Sequence, residues 1–451
     1  MMKIIAFASA ALLFTGCFEK KSEAVSHAEL FTSDFSKRAF SHAVKLDHAE
    51  QDIFMLGKSF FSKPWVEAPS VTTARDGLGP LFSANSCIHC HPHNGGGVAL
   101  NEALGVERAL VLRLSLSHMK NINNSLLARE GFTPEPTYGA QLSISGAGTA
   151  YEGGVEVHHR TIKGFYDDAT PYELTLPTYT PSNLQYGALD SHANIAPRLA
   201  LPLVGLGLLE RLGDEAILAN EDINDSDRDG ISGKANRIYS PEHNKTMIGR
   251  FAYKATAVSV KHQSADAAHN DMSLTNPLYP SENCTTAQKE CNEAPKGRYA
   301  FDLPNERLEA IAFYLTHLKA PLAQINPTTK EGRDIFNQIG CNKCHIEEFT
   351  TLDGVKIRPY SDLLLHDMGV GLSDGHSDFL ATPNEFRTTP LWGLGRREVT
   401  SGAMNLLHDG RARTVEEAIL WHGGEAQSAK EAFAALPKIK RTLLVEFLRG
   451  L

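Results

Sequence analysis

Long apolar runs are missing from this chain. Past its first 14 residues, nothing is apolar for long enough to span a bilayer as a helix. An excess of positive charge is missing as well. Lys and Arg total 44 against 53 Asp and Glu, for a net charge of −9. That balance argues against nucleic acid as a partner and suits a basic donor protein only weakly. Low-complexity tracts are absent. Cysteine is scarce, with 7 in 451 residues, and its arrangement is therefore informative.

Four of those cysteines fall in two copies of one pattern, Cys87-Ile88-His89-Cys90-His91 and Cys341-Asn342-Lys343-Cys344-His345. The pattern Cys-x-x-Cys-His is the attachment site of c-type haem. Two thiols three residues apart share one face of a helical turn and add to the porphyrin vinyl groups. The next imidazole, here His91 or His345, is then the proximal iron ligand. With 7 cysteines and 19 histidines in the chain, one chance match is expected about once in a few hundred such sequences. A four-cysteine zinc site shared by the two pairs is the competing arrangement, but zinc has no need of the histidine that follows each second cysteine. The expectation is two covalently bound haem c groups.

The N-terminus reads as an export signal. Lys3 precedes an apolar run over residues 4–14, too short to span a membrane, which ends in Phe14-Thr15-Gly16-Cys17. Small residues before a cysteine resemble the lipobox of bacterial lipoproteins, with Cys17 as the lipid-carrying first residue after cleavage. An ordinary secretory signal with an incidental cysteine is the alternative. Phe18, not Asp, follows Cys17, so the expected location is the periplasmic side of a Gram-negative outer membrane, lipid-anchored. Cys284 and Cys291 remain, and in an oxidising compartment they pair as a disulfide around a short loop, free buried thiols being the alternative.

Residues 1–16 are thus read as signal peptide and 17–33 as a tether. An N-terminal haem c domain with insertions follows over 34–325, and a C-terminal cytochrome c-like domain over 326–451. The fold class expected is mainly α, with two cytochrome c-like haem domains, the first enlarged by a β-hairpin. A faint repeat supports it: Gly57 and Phe61 precede the first motif as Gly332 and Phe336 precede the second. Such a glycine lets another helix cross closely. Each unit also ends on an amphipathic helix, with Leu308, Ile311, Leu315 and Leu318 on one stripe and Leu443, Leu444, Phe447 and Leu448 on the other. Between residues 154 and 186 the periodicity drops toward two, which predicts the hairpin. His158 and His159 then point to opposite faces, as surface or structural histidines. Asp225, Asp227 and Asp229 resemble the opening of a calcium loop, although the twelfth position is Asn236.

Longer motifs extend over nearly the whole mature chain. They include Gly77-Leu78-Gly79-Pro80-Leu81-Phe82, Pro202-Leu203-Val204-Gly205-Leu206-Gly207-Leu208-Leu209-Glu210, Gly249-Arg250-Phe251 and Asp271-Met272. The others are Asp362-Leu363-Leu364-Leu365-His366-Asp367-Met368-Gly369, Arg387-Thr388-Thr389-Pro390-Leu391-Trp392-Gly393-Leu394 and His408-Asp409-Gly410-Arg411-Ala412-Arg413. This set resembles the bacterial di-haem oxidoreductases, sometimes labelled thiol oxidoreductases, relatives of the di-haem cytochrome c peroxidases. The resemblance implies that electrons pass from the C-terminal to the N-terminal haem and reduce hydrogen peroxide, with a small redox protein or a quinol-linked source as donor. It places the second ligand of the C-terminal haem fourteen residues after His408, at His422. Met368 and Met404 are the other candidates for that ligand. It also implies a glutamate between the two haem motifs as proton carrier, for which Glu210, following an apolar run, is the candidate. Arg411 and Arg413 are candidate partners of haem carboxylates. His89, His93 and His118 are candidates for closing the N-terminal haem. Two other functions fit the same motifs: an electron-transfer protein with both irons six-coordinate, and an oxidase of a protein substrate.

Overall fold

In a computed structural model, residues 27–99, 109–117, 124–148 and 150–451 are described. The signal, Cys17 and His118 lie outside them. Seven helices position the site. They are α1 (His48–Ser62), α2 (Cys87–Cys90), α3 (Val260–Met272), α4 (Asn305–Thr316), α5 (Pro327–Gln338), α6 (Val415–Trp421) and α7 (Lys438–Arg449). Four strands matter most: β1 (Leu110–Leu116), β2 (Gly154–Phe165), β3 (Pro171–Ser182) and β4 (Ala193–Leu199).

The helix boundaries have local causes. Asp47 caps α1 by accepting from the Glu50 amide at 2.9 Å, while the Glu50 carboxylate accepts from the Asp47 amide at 2.9 Å, a reciprocal capping box. Asn326 does the same for α5 with Thr329, and Pro327 supplies a preset first turn. The two repeat glycines lie where helices cross. A methyl group on Gly57 would overlap the Ala310 carbonyl of α4, and one on Gly332 would overlap the Leu443 carbonyl of α7. Side chains of α1 and α4, including Phe54, Phe61, Leu308, Ile311 and Tyr314, belong to one apolar core. Those of α5 and α7, including Ile335, Phe336, Leu444 and Phe447, belong to a second.

The hairpin expected over 154–186 is present: β2 and β3 pair antiparallel from Gly154 opposite Ser182 to Phe165 opposite Pro171. Its tip end leans on the second core through Ile162, Leu174 and Tyr166. The mainly α class, however, is corrected. Helix makes up 30% of the structure and strand 20%, in many small sheets. β1 pairs antiparallel with β4 and with Gln141–Leu142 in one three-stranded sheet, and most other strands are two- to four-residue pairs. Pairs that short carry no readable alternation, because their register is set by distant backbone partners. Among the described residues, no helix is long and apolar enough to cross a membrane.

Candidate haem sites

Both Cys-x-x-Cys-His motifs line one continuous cavity of about 1380 Å³, walled mainly by apolar side chains. The first motif forms the single turn α2 with His91 directly after it. The second forms a tight turn, Cys341–Lys343, that leads into His345. Each histidine is fixed by its inner nitrogen. His91 Nδ1 donates to the Leu201 carbonyl at 2.8 Å, and His345 Nδ1 donates to the Tyr360 carbonyl at 2.9 Å. That choice of tautomer leaves Nε2 of both rings with its lone pair available. Burial keeps the rings neutral by pushing both down to about 4. Burial likewise pushes the Cys87 and Cys341 thiols up to about 12. Among the described residues, no cluster of ligating atoms joins cysteines of the two motifs. The four cysteines are thus not gathered as a shared zinc site would need.

His422 ends α6 and lines the same cavity. Its Nδ1 donates to the Ala418 carbonyl at 2.7 Å, again leaving Nε2 free. It lies close enough to His345 for the two rings to interact electrostatically, so that protonating either would disfavour the other. Met368 also stands on the cavity wall, whereas Met404 is buried in the second core.

The charges around the cavity fit a ligand bearing carboxylates. Arg387 is buried and bonds only to carbonyls, those of Ala252 at 2.7 Å and Thr388 at 3.1 Å. Half-buried Arg397 donates to the Asn405 carbonyl at 2.9 Å. Both line the cavity, and neither has a carboxylate partner among the described residues. Burial lowers Arg387 to about 10, against the opposing influence of Tyr253 and Asp362. Two guanidinium groups withdrawn from water with no carboxylate bonded to them are costly unless an anion meets them. Haem carboxylates have the required chemistry. Arg411 and Arg413, expected for this task, are already engaged. Arg411 pairs with Asp409 at 2.8 Å and packs over Trp421, and Arg413 is exposed beside Glu417 at 3.5 Å.

A buried cluster adjoins the second motif. His366 sits between Asp362, at 2.8 Å from Nε2, and Glu425, at 2.6 Å from Nδ1, with Cys344 Sγ at 3.6 Å. Burial by itself would lower the imidazole, but hydrogen bonds to Asp362, Cys344 and Glu425 outweigh it and carry the group up to about 12.

The structure does not bring Glu210 to the cavity wall. Its carboxylate accepts from the Val260 amide at 2.8 Å, at the start of α3, where it serves the helix terminus. Burial does raise its pKa. Carboxyls that sequence reasoning missed do line the cavity. Glu152 is 0% exposed and is pushed up to about 8 by burial, against hydrogen bonds from Ser143 and Gln288. Asp271 is raised to about 6 by burial and accepts from Gln141 at 3.0 Å. No local pattern marks Glu152, and Asp271, quoted in the sequence only within Asp271-Met272, carries there no sign of its burial, which distant segments make. Neither His89 nor exposed His93 lines the cavity. His158 and His159 are exposed on β2.

Asp225, Asp227 and Asp229 bring ligating oxygens within 4.8 Å of one another. Asp229, however, is paired with Lys343 at 2.9 Å, and Asn236 spends its buried amide on the Lys254 carbonyl at 2.7 Å. Cys284 and Cys291 are joined, with a Cα separation of 5.8 Å, and Gln288 inside their loop is the donor to Glu152.

No curated protein and no solved structure matches the chain. Residues 124–451 match the family described as "di-haem oxidoreductase, putative peroxidase", a span that holds the second haem motif and begins after the first. With that family covering most of its length and both motifs on one cavity, the chain belongs to the di-haem oxidoreductases.

Proposed function

We propose that the chain carries two haem c groups, bound through Cys87 and Cys90 and through Cys341 and Cys344. His91 and His345 are their proximal ligands, and His422 is the second ligand of the C-terminal haem. The haem groups supply redox-active iron. Electrons from a small redox protein or a quinol-linked source enter at the C-terminal haem and pass to the N-terminal one. There two electrons and two protons convert one hydrogen peroxide into two waters. The lipid anchor on Cys17 and a periplasmic position at the outer membrane belong to the same reading. Calcium is left out of it, because Asn236 and Asp229 are committed elsewhere.

The observation that carries this reading is an inequality between the sites. The C-terminal site has two neutral imidazoles tied at Nδ1, His345 and His422. Among the described residues, the N-terminal site has His91 alone tied in that way. The chain's other contributions are positional. Arg387 and Arg397 hold haem carboxylates, and the buried carboxyls of Asp271 and Glu152, raised to about 6 and about 8, carry protons near neutral pH. Electron paramagnetic resonance of the ferric protein should show one low-spin haem with two histidine ligands and one high-spin haem. Peroxide should consume two electrons per molecule from the reduced protein. Two low-spin signals that persist after half-reduction, with no peroxide consumed, would transfer the assignment to an electron relay.

A further inference from the structure

Among the described residues of the cavity wall, one imidazole has a buried ring nitrogen without a hydrogen-bond partner. His269 lies on α3 and lines the cavity, and its Nδ1 is buried without a hydrogen-bond partner. His91, His345, His422 and His376 each spend a ring nitrogen on a carbonyl or hydroxyl. That nitrogen is sealed even from the cavity, so the ring's other nitrogen, Nε2, neither sealed nor hydrogen-bonded, is the one a ligand on this wall can meet. The ring is nevertheless rigidly held. It stacks on Tyr279 with centroids 5.2 Å apart and planes at 15°, and the Tyr279 hydroxyl is fixed by His262 Nε2 at 3.1 Å.

Its place along α3 assigns it to the N-terminal site. Two residues further on, the Asp271 carbonyl accepts from the Ser83 amide at 2.8 Å and the Ala84 amide at 3.1 Å, just ahead of Cys87. The Asp271 charge also raises both the Cys87 and Cys90 thiols, after burial. His91 is held by a different wall, Leu201 and Phe61.

We propose that His269 is the proton acceptor of the N-terminal haem site. A small ligand that enters as a neutral acid gives its proton to His269 Nε2, with the ring's own proton on the sealed Nδ1. The bond between that proton and the ligand breaks, an N–H bond forms, and the anion is left for the iron. Hydrogen peroxide and hydrogen cyanide are both acids of this kind. Burial holds the imidazole at about 4, against the nearby Asp266 charge, so it is neutral and able to accept. The stacked, helix-borne ring is a fixed acceptor and not a movable iron ligand. This inference rests on the reading that the N-terminal haem has an open side.

The test uses the two-haem protein and cyanide, which needs no turnover. His269→Leu should slow cyanide association with the ferric high-spin haem by about 10²–10³-fold while leaving the resting spin state unchanged. His269→Gln, which keeps a polar side chain of similar reach without basicity, should show the same slowing with both haems retained. Association at the wild-type rate in either variant would overturn the proposal. So would a wild-type low-spin haem that becomes high-spin in His269→Leu, since His269 would then be an axial ligand. If neither wild-type haem binds cyanide, oxidised or half-reduced, the open-site reading fails and this inference fails with it. Slow cyanide binding in the variants beside intact wild-type binding, but no peroxide consumption in any protein, would keep His269 as acceptor and remove peroxide as substrate.

Discussion

His345 and His422 present the same nitrogen to the cavity because the backbone holds them alike. Each gives Nδ1–H to a carbonyl, Tyr360 at 2.9 Å and Ala418 at 2.7 Å, and each is kept neutral by burial. A metal-binding histidine is oriented by the partner of its other nitrogen, and two rings so oriented suit one six-coordinate iron.

Replacing His422 by Met should therefore keep the C-terminal haem six-coordinate and raise its reduction potential, since thioether favours the ferric state less than imidazole does. His422→Ala should make that haem high-spin. A redox titration and a ferric spectrum unchanged in both variants would place the ligand elsewhere, with Met368, also on the cavity wall, next to be examined.

Much of this was legible in the sequence, for physical reasons. A Cys-x-x-Cys-His motif is local, so Cys87 to His91 and Cys341 to His345 are read without knowing the fold. The crossing glycines Gly57 and Gly332 are also local signals, because only a missing side chain admits another backbone so closely. What escaped depends on distant partners. Arg387 is unpaired only because Ala252 and Thr388 offer it carbonyls, and Arg411 is unavailable only because Asp409 reaches it first. Glu210 looked like a buried acid and is one in part, but the amide that claims it belongs to Val260. The short strand pairs escaped for the same reason, and with them the mixed character of the fold.

Gly332→Ala tests the helix crossing. The added methyl would collide with the Leu443 carbonyl and come within 2.5 Å of Phe447 Cβ, so α5 and α7 must separate. The expected cost is about 1–3 kcal/mol, the usual range for overpacking a well-filled core. It should be read as a lower melting temperature with both haems still bound. An unchanged melt would show that the two helices do not meet at this residue.

Arg387→Met removes a buried cation that bonds only to carbonyls. If that cation faces a haem carboxylate, its loss should favour the ferric state and lower the reduction potential of one haem. Arg413→Met, at a side chain 62% exposed, should leave both potentials in place. Equal effects from the two substitutions would remove Arg387 as the anion's partner.

The loop closed by Cys284 and Cys291 should resist alkylation until reduced. Replacing both cysteines by Ser should cost about 2–3 kcal/mol on loop-closure grounds. It should also loosen Gln288, which donates to Glu152 from inside the loop. A double variant as stable as wild type would show that the bridge constrains nothing the native state needs.

The last prediction concerns pH. His366 is 3% exposed, and against that burial its hydrogen bonds to Asp362, Cys344 and Glu425 hold its folded pKa at about 12, compared with 6.5 for a free imidazole. Between those two values the folded protein keeps a proton that the unfolded chain has released. The stability contributed by His366 is therefore complete below about pH 6.5 and is lost progressively as pH rises toward about 12. The loss should run at up to ~1.4 kcal/mol per pH unit. His366→Gln removes the titrating group while leaving Asp362 and Glu425 a hydrogen-bonding side chain. Melting temperatures taken near pH ~7 and pH ~9 should thus fall more steeply for the wild type than for the variant, and the variant should be less stable at the lower pH. Parallel slopes would mean that the imidazole is neutral when folded, and that the charge beside Cys344 is carried by the carboxylates alone.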